Sequence, residues 1–326
     1  MTVAWVIGGG GLIGTALRIA LAETGALVFV PVGSLSWTEI STARAQLAAS
    51  FREFEQAASA AERWEIYWAA GRGTMHSRDV DLEPETALLS ALCSAVADSH
   101  VLRHRPGGVA FASSAGAVYG GSNQPILTEC SDVAPANAYA RAKLLQEGVL
   151  SLALTDLPAC AVLLARISTV YGSAQASGKA QGLLSHIAGC IVRNQPVHVY
   201  VPLDTIRDYI AVADAAREMM LQLRELTPGQ PAAVRLIASE RPTTISEIVG
   251  LFKRLSWRPP RLVTCVAPAA AAYKRRIQFR SRYPACVEVR SRTSLAVGIA
   301  GLLADACARL ALGGRSVQKR SADHPR

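Results

Sequence analysis

Tyr139 and Lys143 stand four residues apart in a stretch whose spacing predicts a helix over residues 137–154, so their side chains share one helix face. A phenol titrates near pH ~10 and is a poor base at neutral pH. An ammonium held beside it stabilises the phenolate and lowers that value. Such a pair can exchange a proton with a substrate hydroxyl while a hydride leaves or joins the same carbon. Taken alone, a Tyr and a Lys at this spacing are more often chance neighbours on a helix surface. What gives them weight lies upstream.

Residues 8–14 read Gly-Gly-Gly-Gly-Leu-Ile-Gly, which places GxxGxxG at Gly8, Gly11 and Gly14. The run follows an apolar segment, residues 3–7, that predicts a buried strand, and it opens a predicted helix over residues 15–24. Glycines there let the backbone turn tightly and approach a pyrophosphate. The helix N-terminus offers unpaired N–H groups and a positive dipole end to it. The expected cofactor-binding set is Gly8, Gly11, Leu12, Ile13, Gly14, Ser34, Ala69 and Ala70, together with Tyr139 and Lys143. The end of the second strand reads Val30-Pro31-Val32-Gly33-Ser34, with neither an acid for a ribose hydroxyl nor an immediate Arg for a 2′-phosphate. Ser34 suits either cofactor, so NAD and NADP both stay open.

These residues need a scaffold. Apolar runs at 26–32, 64–70, 108–113, 159–168 and 234–238 predict further strands. Helical patterns at 37–61, 84–99 and 137–154 fall between them. Strands alternating with long helices predict an α/β fold, a doubly wound parallel sheet covered on both faces. After residue 172 the pattern loosens, with more Pro and Arg. The expected division is a dinucleotide-binding domain over 1–171 and a smaller substrate-binding region over 172–312 with segments returning to the first domain. Residues 313–326 are expected to form a disordered tail.

Composition narrows the function classes. The 326 residues carry a formal net charge of +9, with basic residues scattered and partly gathered in the tail. No nucleic-acid-binding signature accompanies them; scattered excess charge reads first as a solvated surface, and an anionic small molecule such as a nucleotide diphosphate is the next reading. The seven cysteines are odd in number, widely spaced and without CxxC, which suits free thiols in a reducing compartment. No signal peptide is read at the N-terminus, and Asp305 and Arg309 interrupt the most apolar C-terminal stretch, residues 295–312. A cytoplasmic protein without membrane attachment is expected. No metal site is expected: His100 and His104 read as a solvated basic helix end, and His186 and His198 as surface or core residues. Trp64 and Trp68 read as core on one sheet face.

Four segments carry a family resemblance. Ser113-Ser114-Ala115-Gly116-Ala117-Val118-Tyr119-Gly120 resembles the Ser-Ser-x-x-x-Val-Tyr-Gly run of extended short-chain dehydrogenases/reductases, in particular the NAD-dependent sugar epimerase/dehydratase family that includes the UDP-glucose 4-epimerases. Residues 166–172 resemble its Arg-x-x-Asn-x-Tyr-Gly run, residues 207–214 its Arg-Asp-Tyr-Ile-x-Val-x-Asp run, and residues 294–302 its closing helix. The resemblance covers about residues 3–312 and implies a Rossmann-type fold. It implies Tyr139 as catalytic acid/base and Lys143 as its partner, also on the nicotinamide ribose. It further implies Tyr119, Thr169 and Arg207 at the substrate, with Arg207 on a diphosphate.

The chain departs from the family in four respects. The position of the usual catalytic Ser or Thr is Ala115, which leaves Ser114, or else Ser113, to take that role. Thr169 stands where the family has Asn. Ala115-Gly116-Ala117 replaces the Thr-Asp-Glu of the sugar 4,6-dehydratases, so that elimination lacks its carboxylates. The usual third strand, with its Asp contact to adenine, finds no place between the second strand and Trp64. The expectation is an NAD(P)-dependent epimerase of a nucleotide-activated sugar, most simply at C4. The alternatives are a keto-sugar nucleotide reductase and a degenerate dinucleotide-binding sensor or scaffold. A homodimer is common in the family.

Overall fold

Six apolar runs build the centre of the molecule. The computed structural model describes residues 1–33, 35–37, 39–75, 77–173, 182–265, 274–283 and 292–322, with side chains to residue 312. Its first part contains β1 (Thr2–Ile7), α1 (Leu12–Glu23), β2 (Leu27–Phe29), α2 (Ile40–Ser59), β3 (Arg63–Trp68), α3 (Asp79–Asp98), α4 (His100–His104) and β4 (Gly107–Ser114). There follow α5 (Ala115–Val118), α6 (Ala138–Leu154), β5 (Cys160–Ile167), β6 (Thr169–Tyr171), α7 (Gly182–Val192), β7 (Val197–Val199) and β8 (Ile206–Ala211). The last part holds α8 (Val212–Glu225), β9 (Ala233–Ile237), β10 (Pro242–Thr244), α9 (Ile245–Leu255), β11 (Leu262–Thr264) and α10 (Leu295–Ala322).

The main sheet runs β2-β1-β3-β4-β5-β9, and every pairing is parallel. Helices α2, α3 and α6 cover one face, packing Phe54, Leu92 and Leu150 onto Trp5, Trp64, Trp68 and Phe111. Helices α1 and α8 cover the other, where Leu17, Leu21, Met219 and Leu223 meet Tyr67 and Leu163. All eight residues of β5 are buried, which is why its sequence is a near-continuous apolar run. The fold is the expected doubly wound α/β architecture. No strand lies beyond β2 among the described residues, and the missing third strand is a feature of the fold.

The sheet tolerates one buried carboxylate, Glu65 on β3, because its oxygens are filled. They accept from Arg63 Nε (3.0 Å), Tyr67 Oη (2.9 Å) and Arg224 Nε (2.9 Å). Cys93 and Cys160 sit in the same interior, where burial pushes their thiols up to about 12. Six cysteines are free among the described residues, and Cys286 lies outside them.

The C-terminal part adds a sheet ordered β10-β8-β6, the parallel pair β11-β7, and the helices α7, α9 and α10 around Tyr171, Phe252 and Ile299. Between them, β9 returns to the edge of the main sheet.

Three boundaries differ from expectation. β2 is three residues long, not seven, because only its first turn of chain pairs with β1. α3 begins at Asp79 and contains Pro84 rather than starting there. Its true start is marked by Asp81, whose carboxylate accepts from the Arg78 backbone N–H at 3.1 Å. Finally, α10 continues to Ala322, so the backbone over 313–322 is helical where a disordered tail was expected. Residues 315–322 include Arg, Gln, Lys and Ala, all good helix formers that extend a helix already begun.

By length and composition the segment Leu295–Leu312 is apolar enough to cross a membrane. Its two charges pair with each other, Arg309 to Asp305 at 2.6 Å. One side of it, Ile299, Leu302, Leu303 and Ala306, packs onto the C-terminal core.

Gly148 lies in the middle of α6 with nothing within 4 Å of where a Cβ would stand. Gly148→Ala should therefore raise unfolding stability by about 0.5–1 kcal/mol. Denaturant unfolding checks this, and a loss of stability would show that α6 is not the packed helix described here.

Candidate active site

The sheet order reverses between β1 and β3, and ligands of such sheets bind in the crevice beyond the C-terminal ends of the strands at that point. The glycine turn follows β1 there. Gly8 has φ +87°, and a Cβ on it would fall 2.5 Å from the Ala70 nitrogen. A Cβ on Gly14 would fall 2.1 Å from the Gly8 carbonyl oxygen. The turn is closed by Gly11 N–H donating to the Gly8 carbonyl at 2.9 Å. α1 then starts at Leu12 with no side-chain cap at Gly11 and no acid in its first turn. Its N-terminal N–H groups and dipole are left for an anion. This cradle fits a dinucleotide pyrophosphate.

Gly14→Ala should abolish dinucleotide binding in calorimetry and cost about 1–3 kcal/mol of stability, because the new methyl has no room. Unchanged binding would remove the turn from the site.

The chain after β3 links this turn to the tyrosine. Ala69 and Ala70 abut Gly8, and three residues on, a Cβ at Gly73 would lie 3.0 Å from Tyr139 Cδ2. Tyr139 is half-buried at the start of α6, whose N-cap Asn137 accepts from Ala140 N–H at 2.9 Å. Lys143 Nζ lies 5.7 Å from the centre of the Tyr139 ring and 4.8 Å from that of Phe111. The ammonium is buried and donates to Glu85 Oε1 (3.1 Å) and Gln146 Oε1 (3.2 Å). Glu85, from α3, is itself buried, and its carboxylate lies under Gly71. Neither Glu85 nor Gln146 stood out in the sequence.

The two serine candidates separate. Ser113 is buried and donates to Glu147 Oε1 at 2.5 Å. Glu147 also takes two Arg166 donors, Nε at 3.0 Å and Nη2 at 2.6 Å, and Arg166 Nη1 donates to Tyr119 Oη at 2.5 Å. Ser113 and Tyr119 therefore belong to a closed network under the site. Tyr119 is fully buried, and burial first of all raises its phenol. Ser114, at the end of β4, is half-buried with no side-chain partner among the described residues. Glu147 continues the i,i+4 series of Tyr139 and Lys143, a spacing that would have located it.

Farther along, Thr169 is exposed at the start of β6. Arg207, on β8, donates to the Ile206 carbonyl at 2.8 Å. Lys274 lies near it. Burial first, and the like charge of Arg207 second, lower the Lys274 ammonium below its ordinary value. Asp208 does not pair with Arg207. Its carboxylate anchors Ser168, Ser239 and Arg241 N–H instead. Ser34 lies outside the described residues.

A cleft of about 540 Å³ continues from Gly8–Gly10 along the end of β2, past Phe29 and Val30 to Gly33, Leu35 and Trp37, with Arg18 of α1 in its wall.

Residues 4–236 match the family model described as the NAD dependent epimerase/dehydratase family. A curated relative, dTDP-4-dehydro-6-deoxyglucose reductase of Escherichia coli, is 30% identical over 115 residues, which is 35% of this chain and 36% of that protein's own length. The solved structure of MoeE5 with UDP-glucose and NAD has a TM-score of 0.72 at 21% identity, covering 96% of this chain and 100% of that one. The Thermus thermophilus UDP-glucose 4-epimerase with NAD has a TM-score of 0.70 at 19% identity, covering 94% and 99%. At these identities the structural likenesses concern the fold.

Proposed function

The chain belongs to the NAD dependent epimerase/dehydratase family, and from that premise we propose that it is an NAD(P)-dependent enzyme acting on a ring hydroxyl or ketone of a nucleotide-activated sugar. The observation that carries this is the continuous track from the Gly8–Gly14 turn, across Ala70 and Gly73, to Tyr139. It supports reading the turn as a phosphate cradle and Tyr139 as the proton-transfer residue, both beyond the C-terminal ends of the strands. The residues before about 172 hold the dinucleotide on this reading, and those after it the sugar nucleotide.

When bound, the nicotinamide supplies reversible hydride acceptance. The protein supplies the rest. Tyr139 takes the proton of the sugar hydroxyl and returns it. The Lys143 ammonium stabilises the phenolate formed meanwhile. Glu85 and Gln146 hold that ammonium in place, so it does not swing out to solvent. Ser114 is the hydroxyl free to orient the reacting oxygen. Arg207 is the cation proposed to meet the substrate diphosphate, since a guanidinium bonds phosphate oxygens in a bidentate manner.

Epimerisation at C4 is the simplest reaction of this set, since it needs nothing beyond the bound pair and a sugar that can turn over. Reduction of a keto-sugar nucleotide is the second reading. It is favoured by one observation: among the described residues no carboxylate lines the cleft at the end of β2, as a tightly kept NAD would use.

The test is incubation of the full chain with UDP-glucose and UDP-galactose, and separately with a 4-keto nucleotide sugar plus NADPH, followed by NMR of the sugar. Interconversion of the first two supports the epimerase. Consumption of the keto sugar with oxidation of NADPH supports the reductase. No change in either, with dinucleotide bound, contradicts both.

A further inference from the structure

The cleft beyond β2 contains a cation that the proposed reaction does not use. Arg18 is exposed on α1, one turn past Gly14, and its stem lies over the glycine turn: a Cβ on Gly9 would fall 2.9 Å from Arg18 Cδ. Among the described residues lining the cleft it is the one that carries a charge. Among the described residues no carboxylate pairs with its guanidinium. An exposed helical Arg is ordinarily a solvated surface charge. This one differs in facing a walled cleft that begins at the pyrophosphate turn.

The other walls define what the cleft accepts. Val32, Leu35 and Trp37 give it apolar surface suited to a purine. The strand end that usually presents an acid to the ribose diol presents Val30-Pro31-Val32-Gly33 instead. The nearest carboxylate engaged with this segment is Glu53 of α2, which accepts from Val32 N–H at 3.4 Å on the exposed side and does not line the cleft. A ribose with a free diol would find no charged acceptor within the cleft. A ribose carrying a phosphate would find a guanidinium, whose planar fork matches phosphate oxygens.

We propose that Arg18 anchors a 2′-phosphate subsite in this cleft, so that the chain takes NADP(H) in preference to NAD(H). This rests on the dinucleotide-binding reading given above and deepens it. It also bears on the reaction: a phosphorylated dinucleotide that exchanges with solvent fits net reduction of a keto sugar better than a self-recycling epimerisation.

The experiment is calorimetric titration of the full chain with NADP⁺ and with NAD⁺, on the parent, Arg18→Gln and Glu53→Gln. The parent should bind NADP⁺ about tenfold or more tighter than NAD⁺, the worth of one charge-assisted contact. Arg18→Gln should lose that advantage while keeping its NAD⁺ affinity, which also shows that the variant is folded. Glu53→Gln should leave the NADP⁺ preference in place. Three results overturn the subsite: NAD⁺ preferred by the parent, an NADP⁺ preference that survives Arg18→Gln, or an NAD⁺ affinity that depends on Glu53. If neither dinucleotide binds the parent, the dinucleotide reading itself fails, and the subsite with it.

Discussion

Tyr139→Phe should lower turnover about 10²- to 10⁴-fold while leaving dinucleotide affinity unchanged. The substitution removes one oxygen and nothing else. Tyr139 makes no side-chain hydrogen bond among the described residues, so no buried partner is orphaned. Its ring still packs against Gly73 and below Lys143. The loss must therefore appear in the chemical step and not in folding or cofactor binding. Steady-state kinetics on whichever nucleotide sugar proves to be turned over, paired with calorimetry for the dinucleotide, separates the two. A variant that turns over normally would remove Tyr139 from the mechanism. It would also favour a chain that binds a dinucleotide as a sensor or scaffold.

Arg166→Met should be the most destabilising single change near the site, costing about 3–5 kcal/mol. Arg166 and Glu147 are both nearly excluded from water, at 7% and 6% exposure. Removing the guanidinium leaves a buried carboxylate with only Ser113 to donate to it, and it frees the Tyr119 hydroxyl as well. Much of the loss should be recovered by adding Glu147→Leu, because an apolar pair of similar volume carries no desolvation cost. Denaturant unfolding of the parent, the single and the double variant decides this. A single variant within about 1 kcal/mol of the parent would mean that the network contributes little. Ser113 is one of the groups that keep Glu147 satisfied.

Much of this arrangement was legible in the residues themselves. The β1 and β5 runs are near-continuously apolar, Arg166 apart, because both faces of the parallel sheet are covered. The glycine spacing marked the phosphate turn because Gly8 and Gly14 have no room for a Cβ. The Tyr139 and Lys143 spacing marked a shared helix face. Other features depended on contacts between distant segments. Pro84 read as a helix start, yet α3 begins five residues before it, at Asp79, with Arg78 and Asp81 capping it. Ser113 and Ser114 are neighbours in sequence, and strand alternation sends one into the core and leaves the other half-open. Glu85 reaches Lys143 across 58 residues, with no local pattern to announce it. Arg18 carries no sequence signal, and the fold places it beside the cleft. The three-residue strands β6, β7, β10 and β11 are too short to leave a periodic signature.

The central claim is that this chain is built around a nicotinamide dinucleotide held at the Gly8–Gly14 turn. It is tested most directly by mass spectrometry of the small molecules released when the purified protein is denatured, with NADP⁺ and NAD⁺ offered first to any protein that comes out empty. The account predicts a dinucleotide, carried through purification or taken up on addition, with NADP(H) the favoured form. A protein that releases none and binds neither would contradict it.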